Sequence, residues 1–131
     1  MAKLTTKNPR ELPPVEVCFH FVASRFCGTI IWYLMKHKTL RYSELKRYLP
    51  YVNPKTLSSK LHEMEEEGII SRHKHGGIPP KVTYALTELG ESLWPVVRSA
   101  HEWGLCYVRG LAEEDAPYTE DAREIYNLED G

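Results

Sequence analysis

The chain has 131 residues, 42% of them hydrophobic and 27% charged, a length and apolar content that suit one ordinary domain and require no second core. No run of about 18 apolar residues and no charged-then-apolar leader occurs, so neither a membrane span nor a secretory signal is expected, and a soluble, cytoplasmic protein is. The net charge of -1 averages two opposites: residues 1–85 hold 14 Lys and Arg against 7 Asp and Glu, whereas residues 86–131 hold 3 against 11, a basic body suited to a polyanion and an acidic end suited to solvent.

Residues 1–12 are polar and basic, with Lys3, Lys7 and Arg10, and run into Pro13-Pro14. They predict a flexible basic arm over residues 1–13, which either touches phosphates or is simply solvated. From 15 to 23 the apolar positions Val15, Cys18, Phe19 and Val22 recur at helical spacing. Residues 25–37 repeat the pattern with Phe26, Cys27, Ile30, Ile31, Leu34 and Met35, a stripe wide enough to predict the most buried helix. Cys18 and Cys27 lie on or beside these stripes and read as small buried hydrophobes. Together with Cys106 they form no Cys-x-x-Cys pair, so neither a disulfide scaffold nor a structural zinc site is expected.

Thr39-Leu40-Arg41 can form a very short strand. Residues 42–49 then turn Tyr42, Leu45 and Leu49 inward and Glu44, Lys46 and Arg47 outward, until Pro50 stops the helix. Only Tyr51 and Val52 separate it from the next element, a helix over 54–67 with both ends written into the sequence. Asn53 can cap the first amides, Pro54 sits where a missing N–H costs nothing, and Gly68 supplies a left-handed stop. Leu57, Leu61 and Met64 form its apolar stripe; Lys55, Ser59 and His62 point roughly the other way, with Thr56, Ser58 and Lys60 on the flanks. The face is graded, basic and hydroxylic in its first half and acidic after Glu63. A phosphate partner can therefore approach only the amino end, which the helix dipole also favours. Two helices joined so tightly make a helix-turn-helix, the second entering the major groove of double-stranded DNA and the first bracing the backbone.

Residues 69–74 and 81–86 read as two strands, joined by His75-Gly76-Gly77-Ile78-Pro79-Pro80. Arg72, His73, Lys74, His75 and Lys81 crowd the tip, so the wing over 71–82 is expected on the sugar-phosphate backbone or in the minor groove; the plainer alternative is a solvated hairpin. Arg41 and Lys46 join Arg72, Lys74 and Lys81 as candidate phosphate contacts. Asn53, Lys55, Thr56, Ser58, Ser59, Lys60 and His62 are the candidates on the helix, where Lys can read guanine O6 and N7 and Ser or Thr can hold phosphates or either base.

Thr87-Glu88-Leu89-Gly90 caps a last long helix that continues to about Gly110, with Pro95 expected to kink or divide it. Its apolar positions include Leu93, Val97, Ala100, Trp103, Tyr107 and Leu111, more than one small core can cover. They predict a two-fold homodimer through this helix with help from Val15 and Phe19 on the first, the alternative being that the helix folds back on its own domain. Residues 112–131, with Glu113-Glu114-Asp115, predict an acidic tail beyond a domain over 14–111.

The expected architecture is thus α+β and mainly α: a winged helix-turn-helix with a two-stranded wing and extra helices at both ends for dimerisation. The function it implies is sequence-specific DNA binding. A winged helix used only as a protein-interaction module is the alternative, kept open by the acidic second half of the helix. A metal or pH sensor on His62, His73, His75 and a cysteine is weaker, because the spacing closes no ligand set. No phosphate-binding loop or nucleophile elbow appears, so neither an enzyme nor a cofactor is expected.

Several stretches resemble the HxlR family of bacterial and archaeal winged-helix transcriptional regulators: Tyr42-Ser43-Glu44-Leu45, the Leu57 to Leu61 spacing, Glu65-Glu66-Glu67-Gly68-Ile69-Ile70, Trp103-Gly104, and above all the run from Pro79-Pro80-Lys81-Val82 through Tyr84-Ala85-Leu86-Thr87-Glu88-Leu89-Gly90. The resemblance covers about residues 12–104. It implies a dimer on a palindromic operator, often repressing neighbouring genes. The Cys-Pro thiol sensor of many members is matched here by Leu12-Pro13, so the likeness carries no redox sensor by that route. The family's Gly-Gly-Lys-Trp is matched by Ala23-Ser24-Arg25-Phe26, which keeps a cation before a large aromatic.

Overall fold

The computed structural model describes residues 8–111. Most of the expected basic arm and all of the acidic tail lie outside the described residues. After a single 3-10 turn at Pro9–Glu11 come α1 (Pro14–Val22), α2 (Cys27–His37), β1 (Thr39–Arg41), α3 (Tyr42–Tyr48), α4 (Pro54–Glu66), β2 (Ile70–His75), β3 (Lys81–Leu86), α5 (Glu88–Ser92) and α6 (Trp94–Arg109). The chain divides into two compact units, Met1–Val97 and Arg98–Gly131.

In the first unit α2 is the central element. Cys27, Ile30, Ile31 and Leu34 are buried as the stripe predicts, and Trp32 and Tyr33 are buried beside them, so the helix is apolar almost all round and surrounded. The Tyr33 ring stacks on Tyr48 of α3 at 4.5 Å between centroids, and the Trp32 ring lies 5.1 Å from that of Trp94. Leu45, Leu49 and Val52 from the helix-turn-helix and Leu57, Leu61 and Met64 from α4 complete the same core.

The start of α2 differs from expectation. Phe26 adopts φ 68, a left-handed conformation that costs a residue with a Cβ about 1–3 kcal/mol, and the helix begins only after it. Phe26 accordingly leaves the buried stripe; its ring lies 6.0 Å from that of Tyr51, in the turn ahead of α4.

The short strand forms as expected and makes the sheet three-stranded, in the order β1-β3-β2 with both pairings antiparallel. Leu40 pairs with Tyr84, and Ile70 with Leu86, which sets the core-facing side of the sheet; Arg41 opposite Thr83 lies on the other side. Gly68, at φ 78, ends α4 as read. The junction beyond the wing is tight: the Thr87 hydroxyl donates to the Gly68 and Ile69 carbonyls and accepts from the Gly90 amide at 3.1 Å. A Cβ at Gly90 would collide with the Ile69 carbonyl oxygen, so only glycine fits there.

The last helix is divided rather than bent. α5 stops at Leu93, and Pro95 falls in the first turn of α6, where its missing N–H breaks no helical bond. In the second unit the described part of α6 runs on to Arg109, with Arg98 Nε 3.2 Å from Glu102 Oε1 one turn on.

Candidate nucleic-acid interface

α4 is fixed at its amino end by two independent contacts, and the helix that braces it by a third. Asn53 Oδ1 accepts from the Lys55 amide at 2.8 Å, the Tyr42 hydroxyl donates to the Pro54 carbonyl at 3.0 Å, and Glu44 accepts from the Arg41 amide at 2.8 Å to start the bracing helix α3. Leu57, Leu61 and Met64 are buried, which leaves Lys55, Thr56, Ser58, Ser59 and His62 exposed. A cation and three hydroxyls thus stand together near a helix amino end. His62 Nε2 lies 3.4 Å from Glu66, within the acidic half.

Three residues of the expected contact set have other work. Lys60 is only 9% exposed: its ammonium lies 2.5 Å from Ser24 Oγ and 3.2 Å from Glu63 Oε2, so it is turned toward the α1–α2 turn and away from the open face. The reason is angular, since Lys60 sits one position before Leu61 on the edge of the apolar stripe, and the turn covers that edge. Lys46 Nζ reaches the carbonyls of Leu49 at 3.4 Å, Pro50 at 3.3 Å and Val52 at 2.5 Å. All three ammonium donors are therefore engaged in holding the turn between α3 and α4, and the charge is structural. Asn53 likewise spends its acceptor on the cap.

The covered flank of α4 is polar along its length. His20 Nε2 of α1 lies 2.8 Å from Glu67 Oε2, both side chains nearly buried, and Ser24 and Lys60 meet two turns nearer the amino end of α4. Cys27 lies close by. Burial pushes its thiol up to about 12, with Lys60 partly opposing and Glu67 and Glu63 reinforcing the shift, so it stays a neutral, inert thiol. Beyond it, Arg25 and Tyr51 are exposed at the amino end of this flank, and neither belongs to the expected contact set.

All five expected wing residues are exposed, but the pleat separates them. Arg72 and Lys74 pair with Tyr84 and Val82 on the core-facing side of the sheet, extended beyond the core, whereas His73, His75 and Lys81 belong to the other side with Arg41. His73 Nε2 lies 2.8 Å from Ser71 Oγ and His75 Nε2 lies 2.9 Å from Thr83 Oγ1, so the histidines pair within the sheet. Among the described residues no three His, Cys, Asp or Glu side chains are placed to hold a metal ion.

The residues expected at a dimer interface also separate. Leu93 and Val97, 9% and 6% exposed, are buried within the first unit and are unavailable to a partner, because the division at Leu93 rolls the start of α6 onto the core. Val15 and Phe19 are exposed on α1. In the second unit Trp103 and Tyr107 are 70% and 58% exposed with their rings stacked 5.5 Å apart; Ala100 is exposed and Leu111 half-buried.

A solvent-facing helix amino end, a clamped turn behind it and a basic hairpin joined to its far end are the working parts of a winged helix-turn-helix regulator of transcription. The family model of HxlR-like helix-turn-helix proteins matches residues 21–111, and the chain belongs to that family. It is 38% identical to the HTH-type transcriptional regulator YkvN of Bacillus subtilis over 114 residues, 87% of this chain and 91% of that one. The crystal structure of the HTH-type regulator YtcD superposes with a TM-score of 0.67 at 33% identity, covering 75% of this chain and 99% of that chain. The redox regulator HypR in its oxidized form gives 0.66 at 33% identity, covering 70% and 94%. These relatives are transcriptional regulators and not enzymes, and they favour DNA binding over a module that only contacts proteins. No single helix among the described residues is long and apolar enough to cross a membrane.

Proposed function

We propose that the protein is a cytoplasmic homodimer that binds a palindromic operator, most simply as a repressor, with the amino half of α4 in the major groove and the wing on the adjoining backbone or minor groove. The observation that carries this reading is the side-by-side exposure of Lys55, Thr56, Ser58 and Ser59 above a stripe of buried leucines and methionine. Lys55 and Ser59 are the base-reading pair, while Arg72 and Lys74 or Lys81 and Arg41 neutralise phosphates according to which side of the sheet meets the duplex. Each subunit offers one such surface. Exposed aromatics on α6 and the outer face of α1, Val15 and Phe19, support a second copy as the partner, since apolar area of this kind is seldom left to water. Residues 14–111 form the DNA-binding domain with its dimerisation helix, flanked by the basic arm and the acidic tail.

The test is selection of bound duplexes from a random pool. An inverted repeat with half-sites about one helical turn apart is the expected product. Against that duplex Lys55→Ala should weaken binding by about 1–3 kcal/mol and relax preference at one position per half-site. A pool that returns no enriched sequence, or binding that ignores salt, would remove the reading.

A further inference from the structure

We propose that Arg25 is a DNA-backbone contact, a preset guanidinium that holds the phosphate beside the major groove on the flank of α4 that Thr56 and Lys60 occupy. The inference rests on the DNA-binding reading above and adds a contact from outside the helix-turn-helix and the wing.

The turn before α2 runs beside the recognition helix. Ser24 Oγ meets Lys60 Nζ at 2.5 Å and the Phe26 ring lies 6.0 Å from that of Tyr51, so the turn that carries Arg25 borders α4 at Lys60 and the residues just ahead of α4 at Tyr51. Thr56 lies one turn ahead of Lys60 on the same flank and is exposed. Arg25 is therefore at the rim of the face that enters the groove, where a duplex presents phosphate rather than base edges.

Its side chain is already placed. The guanidinium sits 4.8 Å from the centroid of the Phe26 ring, and that ring is itself leaned toward Tyr51, itself exposed. Among the described residues Arg25 forms no ion pair, unlike Lys60 and Arg98, so its charge is not committed within the fold. A guanidinium stacked on one face keeps its edge donors free, and that edge matches two phosphate oxygens. The left-handed backbone at Phe26 is the second observation. A phenylalanine has no local reason to adopt φ 68, and a helix could begin one residue earlier without it; the conformation instead turns Phe26 out of the core stripe to make the platform.

The experiment measures affinity of the whole chain for its selected duplex and for random duplex across a salt series, with urea unfolding alongside. Arg25→Gln should weaken both duplexes alike, roughly 3- to 10-fold near 0.1 M salt, and flatten the salt slope by about one per subunit. Arg25→Lys should restore the slope and only part of the affinity, because the charge returns without the planar stack. Base preference should not change. If Lys55→Ala reduces specific binding while Arg25→Gln leaves affinity and salt slope as in wild type, Arg25 is not a backbone contact although the DNA reading stands. If Arg25→Gln lowers the urea midpoint with an unchanged salt slope, its role is structural and the proposal is overturned. If neither the wild type nor any variant shows salt-dependent binding, the DNA reading itself has failed.

Discussion

Lys60 shows how far a side chain's surroundings can outrun its position in a helix. Helical spacing places it on the flank of α4, and the sequence supports no statement about what covers that flank. The cover comes from the α1–α2 turn, 36 residues earlier in the chain, through Ser24. Lys60→Ala should therefore act on stability, with Glu63 losing the Lys60 ammonium and Ser24 its donor: a loss of about 1–3 kcal/mol in urea unfolding, with unchanged base preference per folded molecule. A mutant of full stability and altered preference would return Lys60 to the groove. Cys27 yields a second expectation at this scale. Its raised pKa means that iodoacetamide at pH 8 should modify exposed Cys106 and spare Cys27 until the protein is unfolded. The sign for stability follows from the neutral thiol being the folded form. The unfolded chain ionises near the ordinary thiol value and the folded one only toward about 12, so this contribution is whole at neutral pH and is lost as pH climbs through that window. Tyr33, pushed up to about 12 chiefly by burial, acts in the same direction. Unfolding midpoints should fall with alkaline pH more steeply in wild type than in Cys27→Ala.

At the level of elements the chain was largely legible, because caps and periodicity are local. Asn53, Pro54 and Gly68 bound α4, and Thr87 caps α5 with its hydroxyl, as their types and positions suggest. Two boundaries were not legible. Phe26 fits the apolar period of α2 and yet lies outside the helix, because a left-handed residue leaves no mark in a hydrophobic pattern. For the last helix the sequence predicts only a kink or a break at Pro95, and the choice of a stop at Leu93 depends on packing against the first unit's core. The wing's division into two charged sides was readable in principle from strand alternation, once the register was known. Two substitutions test these junctions. Gly90→Ala forces a methyl against the Ile69 carbonyl and should cost about 1–3 kcal/mol or more, read as a lowered thermal midpoint. Lys74→Ala should weaken all duplexes equally and reduce the salt slope by about one per subunit, whereas an unchanged slope would assign the phosphates to the side of His73, His75 and Lys81.

At the scale of the whole molecule, the exposed apolar surface lies on the stacked Trp103 and Tyr107 and on Val15 and Phe19 of α1. Composition announced surplus apolar surface, but it could not sort Leu93 and Val97, which the core absorbs, from Trp103 and Tyr107, which it leaves exposed. Replacing Trp103 and Tyr107 together by serine should give a monomer in sedimentation equilibrium, with little change in far-ultraviolet circular dichroism and a large loss of affinity for an inverted repeat. A variant that still sediments as a dimer would place the interface elsewhere. The polar bonds between the opening helix and α4 carry a mechanical meaning as well. Glu67 is tied to His20 of the first helix and Lys60 to Ser24 in the turn that follows it, so α4 is fastened to the first helix and to its turn at two points. If a second copy grips Val15 and Phe19 as proposed, it takes hold of a lever whose other arm is the groove reader, and the angle of that grip should set how many base pairs separate the two readers along a duplex.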